Sequence, residues 1–190
     1  MGDNDSTRGF VYLDRLIGWC KKEKLYMILD MHCAPGGQTG DNIDDGYGYP
    51  FLFETEQDIV QCARIWKRIA ARYKNESIII GYDLLNEPIA HYFNKEKLNP
   101  LLEPVYKRIT RSVREADKNH ILFLGGAQWD SDFKPFGPPF DPKLVYTFHK
   151  YWSSPTVDVI KDYIDFGEKY NVPIYCGETG ENTNQWIDSF

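Results

Sequence analysis

Apolar positions along this chain alternate between two rhythms. Leu13, Leu16, Ile17 and Cys20 recur at helical spacing, and Tyr26 to Met31 then forms a short apolar run with strand character. A long loop follows from Cys33 to Thr55, rich in Gly, Asp and Tyr, a length that usually marks function or disorder. Ile59, Cys62, Ala63, Trp66, Ile69, Ala70 and Tyr73 make the clearest helical stripe. The β-branched run from Ile78 to Leu85 reads as a strand ending at Asn86-Glu87-Pro88. Leu102, Val105, Tyr106, Ile109, Val113 and Ala116 mark the next helix, and Ile121 to Leu124 a strand ending in Gly125-Gly126. Leu144 to Phe148 is a strand ending at His149. Val157, Ile160, Ile164, Gly167 and Tyr170 sketch a helix, and Pro173 to Gly177 a last strand ending at Glu178.

Strands that are apolar throughout, separated by amphipathic helices, predict a parallel sheet covered by helices. A doubly wound sheet and a barrel both fit that pattern. The 190 residues suit a single domain over the whole chain, 1–190.

Composition narrows the partners more than the fold. A net charge of −6 with no basic run argues against nucleic acid and against anionic membranes. No apolar run reaches the roughly 18 residues of a membrane span. The polar start Met1-Gly2-Asp3-Asn4-Asp5 does not read as a signal peptide, which leaves localisation open. Aromatics are abundant at 15%, enough to pack a core and still line a sugar-stacking groove. Cys20, Cys33, Cys62 and Cys176 match no zinc spacing and read as buried free thiols. Asp41, Asp44 and Asp45 fit no standard calcium loop. Neither a metal nor another cofactor is expected.

The candidate chemistry sits where the strands end: His32, Asn86 with Glu87, Gln128 with Trp129, His149 with Tyr151, and Glu178. In a parallel α/β sheet the carboxyl ends of all strands share one face, so these side chains converge. Glycoside hydrolysis needs one carboxylic acid for the leaving oxygen and a second carboxylate as nucleophile or base. Glu87 and Glu178 can fill those roles, and a closed barrel lets them face each other more closely than an open sheet does. Trp129, Trp152, Tyr47 and Tyr49 are candidate sugar platforms. Trp19 and Trp66 look like helix-face core residues, Asp83 like a residue pointing into the barrel, and His91 and His120 like solvent-facing or capping groups.

At these residues the chain resembles glycoside hydrolase family 5, the cellulase family. Leu85-Asn86-Glu87-Pro88 is similar to the family's fourth-strand motif, and Gly177-Glu178 to its seventh-strand nucleophile. Asp30-Met31-His32 with Pro35-Gly36-Gly37 resembles the third-strand segment, and Tyr146 to Tyr151 the sixth. The resemblance implies a (β/α)8 barrel and a retaining mechanism with Glu87 as acid/base and Glu178 as nucleophile. It implies Asn86 on the sugar 2-hydroxyl, and His32, His149, Tyr151, Trp129 and Trp152 at the substrate. The implied substrate is a β-linked glucan, with β-1,3-glucan, mannan and xylan as alternatives, or glycan binding without turnover.

The resemblance also implies that the barrel is incomplete, with the family's strands 3 to 7 present and strands 1, 2 and 8 missing. The second-strand Arg and eighth-strand Trp of the family have no counterpart, since Trp186 follows Glu178 too closely. Thr179 stands where the family more often has an aromatic residue. Two unpaired edge strands would favour self-association.

Overall fold

A computed structural model describes residues 8–181 and 183–190, so the polar start Met1 to Asp5 lies outside the described residues. Helix α1 (Arg8–Glu23) leads into β1 (Met27–Asp30), α2 (Glu56–Tyr73) into β2 (Ile79–Asp83), and α3 (Lys95–Ala116) into β3 (Ile121–Gly125). Strand β4 (Leu144–Tyr151) is followed by a helix at Lys161–Tyr170, β5 (Ile174–Gly180) and a short helix at Asn184–Ser189. All five strands are parallel and lie in sequence order. The sheet curls into an incomplete (β/α)8 barrel, with β1 and β5 as its edges.

The predicted stripes face the core. Ile59, Cys62, Ala63, Trp66, Ala70 and Tyr73 of α2 are buried, as are Leu102, Val105, Tyr106, Ile109 and Val113 of α3. Two polar tips anchor these helices to the sheet. Trp66 donates its indole N–H to Leu84 O, and Tyr106 its hydroxyl to Gly125 O. Asn94 caps α3 by accepting from Lys97 N–H, a donor the helix itself cannot satisfy.

Three expectations are corrected. Trp19 is 64% exposed, because it stands two residues from the one buried position of α1, Ile17, about 200° around the helix. His120 is buried rather than solvent-facing. Its ring lies against Asp117 and Tyr82, and Asp117 also accepts the backbone N–H groups of Asn119 and His120. Burial opposes the Asp117 charge, yet these hydrogen bonds outweigh it and hold the carboxyl below its usual range. The four thiols are free, but only Cys62 is fully buried and Cys33 is exposed. Cys62 is pushed up to about 12 by burial, so it is an inert core thiol.

The helix expected after Pro155 begins as a 3-10 turn at Val157–Ile160 and becomes α-helical only at Lys161. With five strands the barrel interior stays open. Ile80 and Tyr175, on strands that read as wholly buried, are 40% and 45% exposed beside a hollow of about 410 Å³.

Candidate active site

Glu87 lies just beyond β2 on a backbone that the loop after β1 braces. Asn86 N–H donates to Met31 O, while Glu87 and Ile89 take left-handed φ values of 47° and 58°. Left-handed backbone is rare for such residues and needs outside support. The loop after β1 supplies it. The Gln38 amide donates to His32 O and Asn86 O and accepts from Ala34 N–H, and the Thr39 hydroxyl donates to Glu87 O. Ile89 and Ala90 donate back to Gln38 O and Thr39 O. Gln38 and Thr39 are completely buried. Asp44 shapes the loop by accepting the N–H groups of Thr39, Gly40 and Gly46. Asp44 therefore works as a turn builder.

Glu178 reaches the site by a different device. The β4–β5 register shifts between Phe148 and His149, so Cys176 opposes Phe148 and Glu178 opposes His149, with Gly177 as the extra residue. A Cβ at Gly177 would meet Thr147 Oγ1 at 2.5 Å and His149 Nε2 at 3.1 Å, so a glycine is what allows the close packing. Tyr151 donates its hydroxyl to Glu178 Oε2 at 2.9 Å. Burial first, and then the Glu178 carboxylate, push that phenol up to about 12. Thr179 ties the strand to β4 through a hydrogen bond to Lys150 O.

The two acids meet at His149, which is buried. Its Nδ1 lies 2.9 Å from Glu87 Oε1 and 3.6 Å from Glu178 Oε2. Oxygens of the two carboxylates and this nitrogen all lie within 4.8 Å of one another. Those distances could also admit a cation, but a two-carboxylate hydrolase requires the same convergence without an ion. His32 stands at the side, its Nδ1 2.9 Å from Asp30 Oδ2 and its Nε2 3.4 Å from Asn86 Nδ2. On the floor, Asp30 and Asp83 are register partners across β1 and β2. Burial raises both carboxyls, Asp83 well above its ordinary value, and nearby Glu178 adds to the effect.

The site opens into a cleft of about 490 Å³ lined by Asn42, Trp129, Lys150, Trp152, Glu87 and Glu178. Trp129 and Trp152 thus reach the cleft, and Trp152 is 76% exposed on a left-handed φ of 46°. The Trp129 ring packs edge-on against His91. Tyr47 and Tyr49 do not join them: Tyr49 packs on Phe51 and Phe93, and Tyr47 is exposed outside the cleft lining. Sequence reasoning missed Gln38, whose importance lies in contacts with a distant segment, and Asp130, discussed below.

The family model described as cellulase (glycosyl hydrolase family 5) matches residues 5–189. The chain belongs to that family. Endoglucanase C of Acetivibrio thermocellus is 34% identical over 145 residues, covering 75% of this chain and 39% of that protein. A β-xylosidase of Phanerodontia chrysosporium is 34% identical over 160 residues, covering 84% of this chain and 30% of its relative. The chain therefore spans 30–39% of the length of these curated relatives. A crystal structure of a Pseudomonas stutzeri endoglucanase superposes with a TM-score of 0.72 at 20% identity, covering 93% of this chain and 58% of that one. Family 5 membership fits the parallel sheet of strands in sequence order, here part of a barrel.

Proposed function

We propose that this chain carries the two-glutamate centre of a retaining β-glycosidase acting on β-linked glucans. The observation that carries the reading is the placing of Glu87 and Glu178 oxygens within 4.8 Å around His149. Retaining enzymes hold their carboxyls about 5–5.5 Å apart, whereas inverting ones need about 6.5–9.5 Å to admit a water.

In the first step the Glu178 carboxylate attacks the anomeric carbon while the glycosidic C–O bond breaks. Glu87 gives its proton to the leaving oxygen. The product is an ester between the sugar and Glu178. In the second step Glu87, now a carboxylate, takes a proton from water, whose oxygen attacks the anomeric carbon and releases Glu178. Tyr151 holds the Glu178 carboxylate, Asn86 and His32 meet the sugar hydroxyls, and Trp129 and Trp152 cover its apolar face. No metal takes part.

The names of the relatives support a glucan first: endoglucanase C, and a glucan 1,3-β-glucosidase of Candida oleophila at 30% identity. The β-xylosidase relative supports xylose-based substrates as the second reading. A second solved Pseudomonas stutzeri endoglucanase structure, 21% identical, holds cellobiose, which fits a β-linked oligosaccharide. The test is hydrolysis of cellooligosaccharides and chromogenic β-glucosides, laminarioligosaccharides and xylooligosaccharides, with the anomer of the first product read by NMR. Retained configuration and loss of turnover in Glu87→Gln and Glu178→Gln are expected. Full turnover by either folded variant rejects the assignment.

A further inference from the structure

One buried acid has no task in the double displacement. Asp130 is wholly buried, and neither carboxyl oxygen has a hydrogen-bond partner among the described residues. A buried polar group without partners is costly and calls for a reason. The nearest reason is His149, whose Nε2 lies 3.3 Å from Asp130 Oδ2. The other ring nitrogen, Nδ1, is the one that faces Glu87 and Glu178. The imidazole therefore stands between a hidden acid and the two glutamates.

Unusual local geometry converges on this contact. Gln128, Trp129 and Asp130 take left-handed φ values of 60°, 57° and 56°. Non-glycine residues rarely adopt that region, and runs of them mark sites where placement matters. The turn is closed by Asp130 N–H to Gly126 O and by paired hydrogen bonds between Ala127 and Asp132. A Cβ at Gly125 would lie 2.1 Å from Asp130 Oδ1, so only a glycine there leaves room for the carboxyl. A Cβ at Gly177 would lie 3.1 Å from His149 Nε2, so a glycine there also keeps that edge of the imidazole clear.

We propose that Asp130 is a positioning residue: a neutral carboxyl that hydrogen-bonds His149 Nε2 and so keeps the ring proton on Nδ1, facing both glutamates. The inference rests on the two-glutamate reading above. Full burial opposes the charged form of Asp130, and Asp83, Glu87, Asp30 and Glu178 add like charge around it, which raises its pKa well above the ordinary value. A neutral carboxyl owns one O–H, and Nε2, 3.3 Å from Oδ2, lies within hydrogen-bond distance of it. With Nε2 accepting, a neutral imidazole has its single N–H at Nδ1.

That tautomer suits the chemistry. An Nδ1–H donor lies between two carboxyl groups that would otherwise repel, and it adds no net charge. A bare Nδ1 would accept a hydrogen bond from Glu87 and compete with the leaving oxygen for its proton.

The test uses the full chain labelled with 15N-histidine, the His149 signals being identified by their loss in His149→Gln. At neutral pH the wild type is expected to show a protonated Nδ1 and a bare Nε2. Asp130→Asn should keep that state, because its amide can also donate to Nε2. Asp130→Leu should lose the preference. A wild-type ring protonated on Nε2 or on both nitrogens overturns the proposal, as does an unchanged tautomer in Asp130→Leu. Should the Leu variant not fold, the wild-type spectrum still decides. The signal needs no turnover, so an inactive glutamate pair and a wrong tautomer are separate failures.

Discussion

The two glutamates reach one site by opposite means. Glu87 follows an inner strand, and its backbone carbonyl and that of Asn86 are held by the completely buried Thr39 and Gln38. Its side chain is 16% exposed, against 39% for Glu178. Glu178 lies on the edge strand β5, placed by a bulge at Gly177 and held by the half-exposed Tyr151. Glu87, the proposed acid, is thus built into the packing of the fold, whereas Glu178, the proposed nucleophile, is held by groups that the fold can spare. Damage on the Glu87 side should register as lost stability, and damage on the Glu178 side as lost chemistry.

The largest effect separates the two acids directly. Glu87→Gln should lower kcat about 10²–10⁴-fold on an alkyl β-glycoside, the usual worth of general acid–base catalysis. On a dinitrophenyl glycoside, whose leaving group needs no proton, the glycosylation step should be largely spared. Glu178→Gln should be inactive on both substrates. Burst kinetics on the activated substrate make the comparison, and equal losses would erase the distinction between acid and nucleophile.

Gln38→Leu comes next and probes the brace. It strips partners from the carbonyls of His32 and Asn86 and from Ala34 N–H. Each unsatisfied buried group costs about 1–3 kcal/mol, so a total near 3 kcal/mol or more is expected. In a chain of this size that corresponds to a fall of about 6–12 °C in Tm. Scanning calorimetry checks it, and an unchanged Tm would show that the left-handed backbone at Glu87 stands without the loop.

Tyr151→Phe is the counterpart on the other side. It removes one hydrogen bond to a charged carboxylate, worth about 1.5–3 kcal/mol, or roughly 10–100-fold in kcat. The fold should change by no more than about 0.5 kcal/mol, since the residue is partly exposed. A large loss of Tm with normal kcat would invert the comparison.

The same division explains what the residue pattern could reveal. Strand ends were legible because apolar runs stop at polar residues: Glu87, His149 and Glu178 stand where the pattern breaks. Their convergence followed from the parallel sheet. Gln38 was not legible, because a glutamine in a polar loop gains its role only when residues 34–39 fold against 86–90. Asp130 was hidden for a similar reason, since no local pattern forecasts a left-handed run at Gln128 to Asp130. His120 was misread because its partner Asp117 buries it from three residues away. The exposure of Ile80 and Tyr175 reflects the five-stranded sheet rather than anything in their own segments.

The smallest effect concerns Asp30 and Asp83, two acids that feel the charge of Glu178. Asp30 and Asp83 face each other across β1 and β2, and Asp83 Oδ1 is buried without a partner among the described residues. Burial, then Asp30 and Glu178, raise the Asp83 carboxyl well above its ordinary value. A raised folded-state pKa means the native chain binds this proton more tightly than the unfolded chain does. Stability therefore falls as pH rises from the ordinary carboxylate range through the raised value. Asp83→Asn removes the ionisation while keeping the shape. It should raise Tm at neutral pH by about 2–4 °C, the equivalent of about 1 kcal/mol in a chain this size, and flatten the decline between mildly acidic and neutral pH. At low pH, where Asp83 is protonated in both states, the variant and the wild type should melt together. A stabilisation that persists at low pH would assign the effect to packing rather than charge. The crowding of acid around Asp83 would then lose its electrostatic meaning.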